Sequence, residues 1–369
     1  MSVAAATTPQ TRIVSVPRIS WQHPQDGFLG LGVLNGILRI LTLGIYHFWG
    51  KTEVRQRIWS AVRIDGEPLD YRGTGGELFR GFIIVFFLIL LPMGIAGFTA
   101  ALYLKPGTTG RSVYELGFWV LLLSLSGLGI HRARRYRLSR TRWRGIRGGL
   151  SGRSSNFAWT YLWTMALVPL TLGWILPWRT VRLQRALFDQ TRFGDKAFSF
   201  GGRAGPLYRR FWAVWLSAIV LTIGTVAAIV AIIGIDLSQG VPRPQRLNAM
   251  TIAMSGGVVF VAVLVFAMIR AWYTTRVLNY FAAQTQLQGT AFTLTAGVGS
   301  FVWLTASNYV MRVLSLGLLS PIADARSMRY IVDRLSIDGP IAFDEIGQNP
   351  DALLKRGEGL AEAFNVDAF

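Results

Sequence analysis

TLGIYHFWGK at 42–51, TLGWILPWRT at 171–180 and SLGLLSPIAD at 315–324 are three versions of one phrase: a hydroxyl residue, Leu-Gly, and an apolar run that leaves through tryptophan or proline. The phrase sits inside a longer self-similarity. At an offset of 129, Phe28, Thr42-Leu43-Gly44, Trp49, Arg63, Gly73, Gly76, Leu78 and Arg80 meet Phe157, Thr171-Leu172-Gly173, Trp178, Arg192, Gly202, Gly205, Leu207 and Arg209. At an offset of 273, Phe301, Asn308, Arg312, Leu316-Gly317 and Asp338-Gly339 repeat Phe28, Asn35, Arg39, Leu43-Gly44 and Asp65-Gly66. A fixed-period match of this kind is the signature of internal repeats, here over about 28–82, 157–211 and 301–345. Two weaker relatives begin at His131 and Arg270, so the chain holds five basic-helix units.

Between the units lie apolar runs. The 369 residues are 51% hydrophobic and 15% charged, with a mean hydropathy of +0.39, outside the habit of soluble domains and typical of membrane proteins. The stretches 81–104 and 211–235 carry no charge, and each exceeds the roughly 20 residues that a bilayer core demands. Runs at 113–130 and 249–269 make four predicted crossings. In the basic units, arginines recur three or four apart, as at Arg182 and Arg185, and draw a cationic stripe along a helix. Several units end in a turn: AVRIDGEPLDYRG, QTRFGDKAFSF and LSIDGPIAF (335–343) read as small hairpins that share one sheet or pack on neighbouring helices.

Sidedness follows from charge. Six Lys and Arg in 51–80, nine in 131–156 and eight in 177–210, against two each in 105–112 and 236–248, put the dense segments inside and the two linkers outside by the positive-inside rule. One segment then conflicts: FAWTYLWTMALVPLTLGWILPW (157–178) is apolar and long enough to span, yet one crossing would separate two basic stretches. Pro169 and Gly173 suggest a broken helix that enters and returns on one side, and 28–49 and 301–322 would behave likewise. The expected fold is an all-α polytopic membrane protein with small cytoplasmic β-hairpins, four transmembrane helices and three re-entrant or interfacial segments, both termini cytoplasmic. The alternative is seven transmembrane helices. Residues 1–26 read as a flexible tail without a signal h-region, 27–345 as one membrane domain and 346–369 as an acidic tail, with a short helix after Gly357 or Gly359 docked on the cationic stripes or a loose solvated segment.

For a site, Asn35 and Arg39 lie four apart on one helical face inside an apolar stretch, and the third repeat reproduces them as Asn308 and Arg312. Polar groups at membrane depth are costly and often functional, so these four are the candidate ligand-binding residues; snorkelling arginines and asparagines bonded to a neighbouring helix are the plainer reading. The middle repeat has Thr164 and Val168 there. Arg55, Arg57, Arg63, Arg140, Arg147, Arg182, Arg185 and Arg192 are candidates for anionic lipid headgroups, which explain the net charge of +19 without nucleic acid. No cysteine is present, and His23, His47 and His131 lack carboxylates at ligand spacing, so no metal or cofactor is expected. The few carboxylates offer no acid–base pair, and an enzyme is not expected.

NGILRILTLGIYHFWGKTEVRQRIWSAVRIDGEPLDYRGTGGELFRGF (35–82), WRGIRGGLSG (143–152) and GEGLAEAFNVDAF (357–369) resemble the bacterial YjgN-like inner-membrane family, a domain of unknown function, over nearly all of the chain after about residue 27. The resemblance implies a multi-pass protein of the bacterial cytoplasmic membrane, with no catalytic residues to carry over. SPIADARSMRYI departs from the basic, aromatic run usual in the family. Two functions remain: transport or binding of a small molecule or lipid at a polar site between repeats, or a non-catalytic scaffold that binds anionic lipid and a cytoplasmic partner.

Overall fold

The computed structural model describes residues 16–24, 27–233 and 248–349. The fold is mostly helical. The four predicted crossings are four long helices, over Gly75–Tyr103, Thr109–Arg140 (α5), Gly205–Ile233 (α8) and Ala249–Ala283 (α9). At 1.5 Å per residue the shortest is about 43 Å long, the thickness of a bilayer with its headgroups. Almost none of their most apolar stretches is covered by protein, so this surface requires lipid. The first is built as α3 (Gly75–Val85) and α4 (Leu91–Tyr103) joined by a π-turn at Phe86–Leu90, where Leu91 N–H reaches back to Phe86. Pro92, which lacks an N–H and crowds the preceding turn, accounts for the extra residue.

The three phrase-bearing segments are helical hairpins: α1 (Leu29–Leu41) with α2 (His47–Ala61), α6 (Ser154–Leu170) with α7 (Leu176–Phe188), and α10 (Val298–Leu314) with α11 (Ser320–Val332). Each leads into short strands. In chain order these are β1 (Ile19–Trp21), β2 (Val62–Ile64), β3 (Glu67–Pro68), β4 (Asp70–Tyr71), β5 (Thr141–Trp143), β6 (Ile146–Leu150), β7 (Thr191–Phe193), β8 (Lys196–Phe200), β9 (Thr285–Leu287), β10 (Thr290–Leu294) and β11 (Leu335–Ile337). The hairpins do share a sheet: β4 to β11 form eight antiparallel strands in sequence order, and β1–β2–β3 form a second sheet. Only Leu69 separates β3 from β4, and β1 comes against β11, so the two sheets meet at both ends and the strands form a ring. Its interior is filled by Ile19, Ile146, Phe193, Phe198, Leu287, Phe292 and Ile337 from successive strands.

Three sequence expectations change in detail. Ile19–Trp21, read as part of a flexible tail, pairs with β2. The turn at Asp338-Gly339 has no returning strand, because Pro340 cannot donate to a ladder. The chain instead runs on as a plug, with Ile341, Phe343 and Ile346 inside the ring. Arg147 Nη2 donates to Asn349 O at 2.8 Å, and Gly347 N donates to Asp195 Oδ1 at 3.0 Å. The proposed helix of the acidic tail lies outside the described residues. The third change concerns Pro169, which rides inside α6 and does not break it.

Five apolar clusters tie the helices into a cycle beneath the ring. Phe48, Leu78 and Tyr136 join α2, α3 and α5; Leu150, Phe157 and Leu187 join β6, α6 and α7. Val181, Leu207 and Phe281 join α7, α8 and α9, and Leu304 and Tyr330 join α10 and α11 with Leu278 of α9. Leu31, Val54 and Ala325 close the cycle between the first and last hairpins.

Candidate functional site

What breaks each hairpin is one backbone device used three times. Leu43, Leu172 and Leu316 adopt left-handed φ of 51°, 48° and 50°, each followed by a glycine at 91°, 83° and 84°. Gly44 N donates to Arg39 O at 2.7 Å and Leu43 N to Ile40 O at 3.1 Å; Gly173 and Leu172 repeat the pattern on Val168 and Pro169, and Gly317 and Leu316 on Arg312 and Val313. These are the two bonds of a Schellman helix end. The hydroxyl residue of the phrase then starts the second helix, since Tyr46 N, Ile175 N and Leu319 N donate to the side-chain oxygens of Thr42, Thr171 and Ser315. From residue 42 to 47 every N–H has a partner within the turn, and the same holds for 171–176 and 315–320.

The tips are nevertheless apolar and bare. Leu43, Leu172 and Leu316 are 95%, 76% and 92% exposed, with Leu41, Leu170 and Leu314 beside them. A β-carbon in the left-handed region costs roughly 1 kcal/mol, and only Gly or Asn goes there readily. Water gives no return for a bare leucine in that conformation. The hairpin legs start and finish at strands of the one ring: α6 follows β6, α7 precedes β7, and β6 pairs with β7.

The four candidate ligand residues are not gathered around one cavity. Asn35 Nδ2 donates to Gly50 O at 3.3 Å, and Asn308 Nδ2 donates to Ala323 O at 3.2 Å and Ser327 Oγ at 3.0 Å. Each asparagine clips the two legs of its own hairpin, with its Oδ1 buried and unpartnered. Arg39 is exposed, and Arg312 pairs with Asp324 at 2.5 Å. The first and third hairpins do pack together, but through Gly32 and Gly36 against Leu318 and Pro321. An apolar groove of about 630 Å³ runs along α10 from Gly299 to Met311 against Leu264 and Met268 of α9.

The headgroup candidates divide into internal struts and open cations. Arg57 bonds Gly27 O, Arg63 bonds Gly66 O, Arg140 pairs with Glu77 at 2.6 Å, and Arg185 bonds Gly202 O at 2.6 Å. Arg55 is buried, and Arg147 holds the plug. Arg192 lies in β7 opposite Gly149 and Ala197. Arg182 lies over two aromatic faces, 5.3 Å from the Trp163 ring and 5.4 Å from Trp178, and Arg140 lies over one, 5.4 Å from Tyr136. The strut role has a sequence signal that the residue types concealed: Gln56, Arg185 and Asn279 each donate to a carbonyl 17 residues on, at Gly73, Gly202 and Ala296. Three different side chains do one job. His131, fully buried between Ser154 Oγ and Gln190 Oε1 at 3.0 and 3.1 Å, is another strut.

Comparison with known proteins agrees with a membrane protein. The chain is 24% identical over 144 residues to the inner membrane protein YjgN of Salmonella typhimurium strain LT2, covering 39% of this chain and 33% of that protein. It is also 24% identical over 142 residues to the inner membrane protein YjgN of Escherichia coli O157:H7, covering 38% and 33%. The matched part thus spans about a third of the length of these curated relatives. No solved structure matches the chain. The family model described as bacterial protein of unknown function, DUF898, matches residues 18–363, taking in every strand, the four long helices and the three hairpins, and the chain belongs to that family.

Proposed function

We propose that this protein is a lipid-engaging scaffold of the bacterial cytoplasmic membrane, built from internal repeats. It crosses the bilayer four times, dips three helical hairpins into the cytoplasmic leaflet, and holds its strand ring and both termini on the cytoplasmic side for a partner. The carrying observation is the hairpin tip: six consecutive N–H groups satisfied inside the turn around a bare left-handed leucine, which is what a backbone in hydrocarbon requires. The ring supports the sidedness, because strands attached to every basic segment belong to one layer, and basic segments stay inside. The names of the curated relatives support the inner membrane.

Sidedness is tested with single cysteines, because the chain has none. Replacing Ser60, Ala197 and Gln286 should give sites labelled from the cytoplasmic face by a membrane-impermeant maleimide, and replacing Thr109 a site labelled from the other. Labelling of residues 60 and 197 from different faces would refute the layout.

A second reading, binding or transport of a small molecule between repeats, is favoured by one observation: the Oδ1 atoms of Asn35 and Asn308 are buried acceptors without a partner, which a ligand donor would satisfy. Loss of solute uptake into proteoliposomes in both Asn35→Ala and Asn308→Ala, with the fold retained, would favour it over the scaffold.

A further inference from the structure

The second hairpin differs from the other two in its charge. Between Ser154 and Phe188 it has Arg179, Arg182 and Arg185 and not one carboxylate. The first hairpin contains Glu53, which accepts from Tyr46 Oη at 2.9 Å, and the third contains Asp324, paired with Arg312. Arg185 is spent on Gly202 O. Arg179 is not spent: its guanidinium stacks on Tyr161, 4.6 Å from the ring centre, while Nε and Nη2 are buried without a hydrogen-bond partner. Those two nitrogens form one edge of the guanidinium, the fork whose parallel N–H bonds fit two oxygens of a phosphate or carboxylate. A buried charged donor edge left empty is among the costlier arrangements in a protein, and one supplied with an anion is among the stronger.

The neighbours indicate where that anion comes from. One turn along α7, exposed Arg182 lies over Trp163 and Trp178, whose rings are 5.6 Å apart. Tryptophan and tyrosine beside arginine are characteristic of the headgroup level of a bilayer. We infer that Arg179 beside Tyr161, with Arg182 one turn further along α7 beside Trp163 and Trp178, binds a phosphate oxyanion, supplied by a phospholipid headgroup. The fork is shut off from water as it lies against Tyr161, and the half-buried side chain reaches the hairpin surface by turning about its terminal bonds. The phospholipid source rests on the reading that this hairpin dips into the leaflet; the oxyanion site does not.

The test uses the purified full-length, delipidated chain in detergent and reads quenching of tryptophan fluorescence. Phosphatidylglycerol with brominated acyl chains should quench saturably, and brominated diacylglycerol, which has no phosphate, at least ten-fold more weakly. Arg179→Gln should lower the affinity for the phospholipid ten-fold or more, Arg179→Lys, which keeps the charge and loses the fork, by several-fold, and Arg210→Gln not at all. Should Arg179→Gln fail to fold, the lysine variant carries the comparison. Equal quenching by both lipids, or an unchanged affinity in both Arg179 variants, overturns the site. Inorganic phosphate at millimolar concentration should not displace the lipid. If it does, and only when Arg179 is present, the phospholipid assignment falls and a free-phosphate site takes its place, an outcome that also separates this inference from the depth of the hairpin.

Discussion

Placing a cysteine at Leu172 and attaching an environment-sensitive fluorophore puts a reporter at the tip of α6–α7. The depth it should report follows from the geometry. α6 has 17 residues and starts four residues after β6, so its axis is about 25 Å long. Headgroups occupy about 6 Å on each side of a hydrocarbon core about 30 Å thick. A leg standing upright from the strand layer therefore carries Leu172 some 15–20 Å into the hydrocarbon, at or just past the midplane, and a tilted one stops short of it. In proteoliposomes, the fluorophore at 172 should be quenched most by lipids brominated near the acyl-chain ends and least by iodide on either side. A reporter at 43 should be shallower, since α1 has 13 residues, and one at 316 should match 172, since α10 also has 17. Iodide quenching at 172 from the face opposite Ala197 would mean that α6 and α7 cross the bilayer and would refute the re-entrant reading. Iodide quenching from the same face as Ala197, with no quenching by brominated lipid, would place the tip in water and leave the turn chemistry without a reason.

Other perturbations have equally definite signs. Leu172→Asn should relieve about 1 kcal/mol of left-handed strain yet lose about 2 kcal/mol of apolar burial; thermal unfolding should show net destabilisation in lipid and stabilisation only if the tip is in water. Gly127→Leu should destabilise by about 1–3 kcal/mol or more, because even a β-carbon at 127 would stand 2.8 Å from Ala158 Cα; the unfolding midpoint reads this. Asn308→Ala removes two hydrogen bonds at about 1 kcal/mol each and should lower the midpoint by more than Asn35→Ala, which removes one. Asp195 is held below the ordinary carboxylate range by its hydrogen bond with Lys196 and, less strongly, by the Gly347 N–H. Its contribution to plug docking is therefore present above the unfolded carboxylate pKa near 4 and disappears as pH falls through the lower folded value. Fluorescence of Trp143, which packs 4.6 Å from Phe343 of the plug, should follow that acid transition in the native chain and lose this component in Asp195→Asn.

The four long helices were legible because apolar runs of about 20 residues at the length of a bilayer core stand out from the basic segments around them. The hairpin strands were legible from Asp65-Gly66, where a left-handed pair of φ values suits those two residues. Leu43, Leu172 and Leu316 were not, because nothing about leucine announces a left-handed φ, and attention falls on the glycine after it. Pro169 misled for the complementary reason: a strong helix breaker in sequence sits quietly in the last turn of α6. Asn35 and Asn308 were visible as a repeated polar pair, but their acceptors at Gly50 O and Ala323 O are backbone atoms that no residue type marks. Arg179 was invisible beside its neighbours, since a count of arginines does not separate one bonded to Gly202 O from one with an empty fork.

The ring has a consequence for how the protein is made. Its first strand, Ile19–Trp21, meets the last, Leu335–Ile337, and Arg147 waits for Asn349. During synthesis, β10 therefore keeps one open edge, and β1 lacks its neighbour β11, until the final hairpin has left the ribosome. An interruption of translation before residue 335 would yield an integrated but sticky intermediate. Quality-control proteases that survey the membrane surface should recognise it by that open gap.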